Sequence, residues 1–449
     1  MSNNLQTFLT EIQTFFSEDK ITLDEKGRLS GSKDCFHFSP ILIPQLNDKA
    51  ADVIVRPSNQ EELARLIGCA AKHRIPIIPR GAGTGNYGQG VPIHGGLMVN
   101  TKDLNRIQAI DHDSATAEAG VILYEIEKAA ADHNAELRCF PSTVPTSSTA
   151  GFITGGSGGV GSIKWGMLRE ADNIRSAKIL TIEEEPKFVD VSGPELQGVI
   201  HNCGLTCFVT EVTLALAPKV QWQQYIISFD DFYQALDAGQ QLAENQDLNK
   251  RLVTAFEWPM PSFFIPLAKK GASPEGKSAV FLYTDADRQE VEALAEKMSG
   301  TISFHEEPHS GKGRGTQIYD YTWNHTTQWA MKADPGFTYL QDRLVLSRMH
   351  EQIKARKAAF PGELIEHVEF TIGGGEIFAG GLTVVKYRDE ARLNEIIKWC
   401  EANDIAVSNP HTYYLDDDTR WYDDAFLAAK ERWDPHHLLN PGHLHALEK

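Results

Sequence analysis

Gly81, Gly83 and Gly85 alternate in the stretch Pro79-Arg80-Gly81-Ala82-Gly83-Thr84-Gly85-Asn86, directly after the apolar run of Ile75, Ile77 and Ile78. Glycine reaches backbone angles closed to other residues, so this loop can turn several N–H groups toward one point. Such a nest holds an anion, most often a diphosphate. The loop is no P-loop, because no Gly-Lys-Ser/Thr follows, and it lacks the G-x-G-x-x-G spacing of a dinucleotide fingerprint. Taken alone, it could also be a tight turn. A second glycine-rich stretch carries Thr149, Gly151, Gly155, Gly156, Gly158, Gly159, Gly161 and Ser162. Its flanks, Phe152-Ile153 and Ile163-Lys164-Trp165, are too apolar for a flexible linker. Backbone laid closely against a large flat ligand fits this composition better.

Three further clusters carry groups able to move a proton. His411 stands beside Tyr413 and Tyr414; His325 follows Tyr321, Trp323 and Asn324; and His367, Glu369 and Thr371 share one face of a strand by their spacing of two. Each cluster also has a plain reading as packing or solvated surface. The six cysteines are scattered, as in a protein of reduced thiols. Cys203 and Cys207 lie closest, but no second pair follows, so no zinc set is expected there. His436, His437, His443 and His445 match no metal spacing and read as packing or surface groups. No metal is expected.

A chain of 449 residues calls for two or more domains. The net charge of −18 opposes a nucleic-acid partner. No apolar run approaches the ~20 residues of a membrane span, and the first residues lack the basic flank of a signal peptide, so a cytoplasmic protein is expected. Leu5, Phe8, Leu9, Ile12, Phe15 and Phe16 repeat at helical spacing and predict an amphipathic docking helix.

The elements that must position these residues follow from periodicity. Residues 51–57 predict a strand, and Ser58 and Glu61 a capping box. Leu63, Leu66, Ile67, Ala70 and Ala71 form a helical stripe. The strand from Ile75 then completes a βαβ unit ending in the first glycine loop. Strands are predicted over 96–100, 115–121 and 204–218, and a helix over 123–133. Beyond residue 219, strands over 223–229, 251–258, 278–284, 301–305, 366–372 and 378–386 alternate with helices. That pattern predicts a second α+β unit with an antiparallel sheet and helices on one face.

Four segments, in order, resemble the flavoprotein family typified by vanillyl-alcohol oxidase and glycolate dehydrogenase. They are PRGAGTGNYG (79–88), TAGFITGGSGGVGSIKWG (149–166), GLTCFVTEVTLALAP (204–218) and DPHHLLNPGHL (434–444). The resemblance implies an α+β fold: a p-cresol methylhydroxylase-type FAD-binding domain of two α+β subdomains, plus an α+β cap. It places the FAD domain at 1–218, the cap at 219–404, and a segment returning to the FAD domain at 405–449. It implies FAD contacts at Arg80, Gly81, Ala82, Gly83, Thr84, Gly85, Asn86, Gly88, Ser142, Thr149, Gly151, Gly158, Gly159, Ser162 and Val209. In relatives with a covalent link through the first loop, a His stands at the position of Thr84, so noncovalent FAD is expected. The H-x-G-D-G-N metal motif of glycolate and D-lactate dehydrogenases is absent, the nearest positions being His367 and His411.

The implied activity is oxidation of a small hydroxylated substrate (a 2-hydroxy acid, sugar acid or alcohol) by hydride transfer to flavin N5. The acceptor of the electrons would be oxygen, a quinone or a protein. Such chemistry needs a proton acceptor near the ring. His411, on the chain returning to the FAD domain, is the first candidate, with Glu369, His367, His325 and Tyr413 behind it. The rival reading is a catalytically inactive flavin-fold subunit of a larger dehydrogenase complex, which a flavin-free protein would favour.

Overall fold

The computed structural model describes residues 3–170, 172–307, 315–417 and 422–447. Its first sheet is small and mostly parallel. The strands run in the order Ile21–Thr22, Val53–Val55, Leu97–Asn100, Ile77–Arg80, with the last three parallel. Val53–Val55 and Leu97–Val99 are buried, as expected of strands covered on both faces. One cover is helix α1 (Asn3–Ile12), which buries Leu5, Phe8, Leu9 and Ile12. The other partner in that layer is helix α2 (Gln60–Lys72). The cap of α2 sits one residue later than the sequence pattern placed it. Asn59 accepts from the Glu62 N–H, and the Glu62 carboxylate accepts from the Ser58 N–H. The N-cap bond of a capping box is therefore present, shifted by one, while the returning carboxylate reaches the N–H one residue before the cap.

The second sheet is antiparallel, in the order Ile107–Ile110, Ser114–Glu118, Phe208–Pro218, Ile174–Leu180, Phe188–Ser192. Phe208–Pro218 is its long central strand, and Ala135–Leu137 pairs with its far end. The third sheet has eight strands, all antiparallel, with Lys250–Phe256 and His367–Gly373 at its centre. Helices Phe232–Glu244, Met349–Ala359 and Glu390–Ala402 bury Val253, Val368 and Phe370 on its outer face. The opposite face meets the glycine-rich half of the chain, where helix Ser162–Trp165 packs on strands Lys250–Phe256 and His367–Gly373.

Two predicted elements differ. The stretch after Ser148 is helical over Thr149–Gly155, because its glycines Gly151 and Gly155 flank Phe152 and Ile153, whose burial drives the turn. The strand predicted over 378–386 is two strands in two sheets, Glu376–Gly381 and Val384–Lys386, broken at Leu382-Thr383. Among the described residues no helix is long and apolar enough to cross a membrane.

Candidate functional site

The loop after strand Ile77–Arg80 walls a cavity of about 110 Å³, lined by Arg80 to Gly85 on one side. Opposite stand Ser148, Gly151, Thr154 and Gly155 from the helix Thr149–Gly155 and its cap, with Cys203, Gly204, Phe208 and Val209 at the entry of the central strand. Three segments distant in sequence therefore share one cleft. The cleft is shaped for backbone. A Cβ on Gly81 would overlap Ser148 Oγ, and one on Gly83, at φ +72°, would overlap the Arg80 guanidinium. Gly204, at φ +69°, lies against Pro79.

Polar groups in the cleft are incompletely satisfied. Arg80 donates from Nη2 to the Lys33 carbonyl, while its buried Nη1 has no partner among the protein atoms described. Asp34 lies beside it, and burial pushes that carboxyl up to about 6. The Asn86 side-chain N–H is also buried without a partner. A glycine loop lining the cleft with an orphaned guanidinium N–H fits a diphosphate, the anionic centre of FAD. The residues present therefore fit that cofactor.

The other expected contacts shape the cleft without lining it. The Thr149 hydroxyl donates to the Val121 carbonyl at 2.8 Å. Ser162 Oγ accepts from the Gly159 N–H at 3.0 Å, and a Cβ on Gly159 would overlap the Phe140 carbonyl. Gly158 lies against Met167, Gly88 against Leu46, and Ser142 is buried. Gly88, Gly158 and Gly159 leave no room for a side chain without a shift of their neighbours.

The tail locks the cleft from behind. The Ile77 N–H donates to the Leu438 carbonyl and the Asn440 N–H to the Ile77 carbonyl, both at 2.7 Å. Asn440 Nδ2 donates to the Gln89 carbonyl at 2.7 Å and the Cys203 carbonyl at 3.0 Å, joining two walls of the cavity. Lys430 and Asp434, a fully buried pair at 2.6 Å, hold the turn, with Asp434 accepting from the N–H groups of Leu438 and Leu439.

A second cavity of about 350 Å³ adjoins the first, with Cys203 lining both. Tyr87 and Ser157 enter it from the two glycine-rich stretches, Gln341 and Ser408 from the large sheet, and Asn409, Thr412, Tyr414 and Asp417 from the returning segment. Glu401 and His201 also line it. His201 holds its Nδ1 at 2.9 Å from the Gly156 carbonyl. A carbonyl only accepts, so Nδ1 carries the proton and Nε2 is the basic nitrogen of the neutral ring.

None of the five expected catalytic residues lines this cavity. The returning strand ends at Ser408, and the chain beyond it turns at Pro410-His411 and bends at Tyr413. Thr412 and Tyr414 face the cavity, while His411 and Tyr413 turn the other way. His411 is buried, with Nδ1 at 2.8 Å from Ser39 Oγ and Nε2 at 2.8 Å from the Tyr339 carbonyl. Burial pulls its pKa down to about 4, so it pins the returning chain as a neutral ring. Tyr413 packs among Phe36, Leu42, Leu46 and Val91. His367 and Glu369 do meet, at 2.9 Å, but Glu369 also accepts from the Trp323 N–H and the Thr254 hydroxyl. That pair is sealed, with His367 stacked on Phe256. His325 Nδ1 lies 3.2 Å from the Asp320 carbonyl. His201 was overlooked because nothing in its local spacing marks it. Its one sequence cue is a place three residues before the matched segment beginning at Gly204.

Residues 51–185 match the protein family described as an FAD binding domain. The glycolate oxidase subunit GlcD of Bacillus subtilis is 27% identical over 264 residues, 55% of this chain and 54% of that protein. The D-lactate dehydrogenase of Archaeoglobus fulgidus is 26% identical over 204 residues, 42% of this chain and 44% of that protein. The chain thus matches about half the length of these curated relatives. A solved alkyldihydroxyacetonephosphate synthase shares the fold, with a TM-score of 0.74 over 97% of this chain and 84% of that one at 16% identity.

Proposed function

From the premise that this chain is an FAD-binding relative of the vanillyl-alcohol oxidase superfamily, we propose that it oxidises a small neutral polyhydroxylated alcohol in the second cavity. The carrying observation is the wall of that cavity. Ser157, Gln341, Ser408, Asn409 and Thr412 offer hydroxyl and amide groups, and Glu401 and Asp417 offer carboxylates. Carboxylates accept from hydroxyls and repel an anion, so the wall favours a polyol over a 2-hydroxy acid or sugar acid.

Bound FAD supplies a two-electron acceptor. Arg80, the loop from Gly81 to Asn86, and Gly151 would hold its diphosphate, and Val209 with Phe208 its far end. The attachment is noncovalent in this proposal, since Thr84 offers a hydroxyl engaged with Ser147 Oγ at 3.1 Å rather than an imidazole. The chain's own task is to orient a C–H bond and take the hydroxyl proton. Polar groups of the wall orient the substrate, and His201 Nε2 takes the proton while Gly156 fixes the ring. Residues 1–218 with 405–449 form the FAD domain in this reading and 219–404 the cap. The pairing of Asn440 with Gln89 and Cys203 supports that division.

Proton abstraction by a positioned base contributes ~10²–10⁴-fold. His201→Gln should slow anaerobic flavin bleaching by a polyol by about that factor while flavin content stays near the parent's. The pH–rate profile should lose its imidazole limb. Bleaching at the parent rate would remove His201 from the reaction.

A further inference from the structure

We propose that Glu11, Cys69 and His73 form a divalent-metal site of zinc type that staples helix α1 to helix α2. The three residues come from two helices far apart in sequence. A carboxylate oxygen of Glu11, the Cys69 sulfur and a ring nitrogen of His73 all lie within 4.8 Å of one another. Cys69 and His73 are four apart, on one face of α2 and its cap, so the helix itself presents them together. Glu11 reaches across from α1, with its Oε2 at 2.8 Å from His73 Nε2.

The donor set is that of zinc. Thiolate, imidazole and carboxylate bind it at ~2.3, ~2.0–2.1 and ~2.0–2.2 Å, which places tetrahedral ligands roughly 3.3–3.6 Å apart. The three groups need side-chain shifts of about an ångström or less to reach those distances. One thiolate and one carboxylate would neutralise the two positive charges, and the half-exposed edge at Glu11 leaves the fourth position to water. The present occupant of that edge is the Lys72 ammonium, 2.9 Å from Glu11 Oε2, with its side chain 54% exposed. An exposed pair of this kind contributes little and can part. Such a staple would stiffen the base of the anion loop, because α2 leads through Arg74, at φ +55°, directly into strand Ile77–Arg80.

Cobalt(II) is the probe, added to the full flavin-loaded chain without oxygen. One cobalt per chain should bind, with a near-ultraviolet thiolate-to-cobalt charge-transfer band, and zinc should displace it. Cys69→Ser should abolish the band. Glu11→Gln and His73→Gln should each weaken binding beyond the ~10–100-fold typical of losing an outer partner. Lys72→Met should tighten it, by up to ~5-fold. Glu11→Gln carries the test if Cys69→Ser, at a buried position, fails to fold. A band that is missing in the parent or survives Cys69→Ser overturns the site, as does an affinity unchanged by Glu11→Gln.

Discussion

His411 gives the most quantitative prediction, because its ring is both buried and fully bonded. Nε2 faces the Tyr339 carbonyl and so carries the proton, leaving Nδ1 to accept from the Ser39 hydroxyl, each at 2.8 Å. Protonating Nδ1 would break that accepted bond and bury a charge. The unfolded chain takes this proton below about 6.5, the folded chain only near 4. The folded pKa is depressed, so the full stability is present above 6.5 and declines as pH falls toward 4. The slope is ~1.4 kcal/mol per pH unit and the total roughly 3 kcal/mol. Asp34 acts in the opposite sense. Burial raises its carboxyl from 3.8 to about 6, so its contribution is present below 3.8 and lost as pH rises through 6. The two slopes overlap, and the informative quantity is the difference between parent and His411→Gln. Glutamine keeps a donor and an acceptor but cannot titrate. Urea midpoints at pH 7.5 should show the parent more stable, and that gap should shrink by roughly 3 kcal/mol by pH 4. A gap that does not change with pH would refute a neutral buried imidazole at this position.

Two further variants test the cleft. Gly83→Val places a β-branched side chain at φ +72° and against the Arg80 guanidinium, so acid-released flavin per chain should fall at least ~10-fold while far-ultraviolet dichroism persists. Normal flavin content in that variant would remove the loop from the cofactor site. Asn440→Ala leaves the Gln89 and Cys203 carbonyls without their donor. Losing such bonds costs about 1–3 kcal/mol, so the Kd for FAD, read by fluorescence titration, should rise ~10-fold. An unchanged Kd would show that the tail does not brace the cleft.

The fold was readable where burial and periodicity agree. Ser278–Thr284 and Gln223–Phe229 appear with the predicted ends, since each is an almost wholly buried strand with an apolar centre. Where glycine dominates, local pattern misleads. Thr149–Gly155 is a helix because Phe152 and Ile153 are buried, which composition alone does not reveal. The loop lining the first cavity was legible because it depends on backbone, and Gly81, Gly83 and Gly85 announce backbone. Ser148, Thr154 and Asp34 were not, because they reach the cleft through tertiary packing. The returning segment shows the sharpest ambiguity. Thr412 and Tyr414 line the second cavity while their neighbours His411 and Tyr413 do not, and the sequence carries no mark of which pair faces inward. His201 lies 45 residues from its partner Gly156, beyond any local rule.

The central claim is that this chain holds FAD and uses it on a neutral polyol. Anaerobic bleaching of the flavin-loaded protein, followed at its visible band against matched panels of alditols, glycolate, D- and L-lactate and sugar acids, tests it most directly. Saturable bleaching by one or more alditols, with the acids at least ~10-fold less effective in kcat/KM, is the expected result. Bleaching by the acids alone, or no bleaching by any alditol, would contradict it.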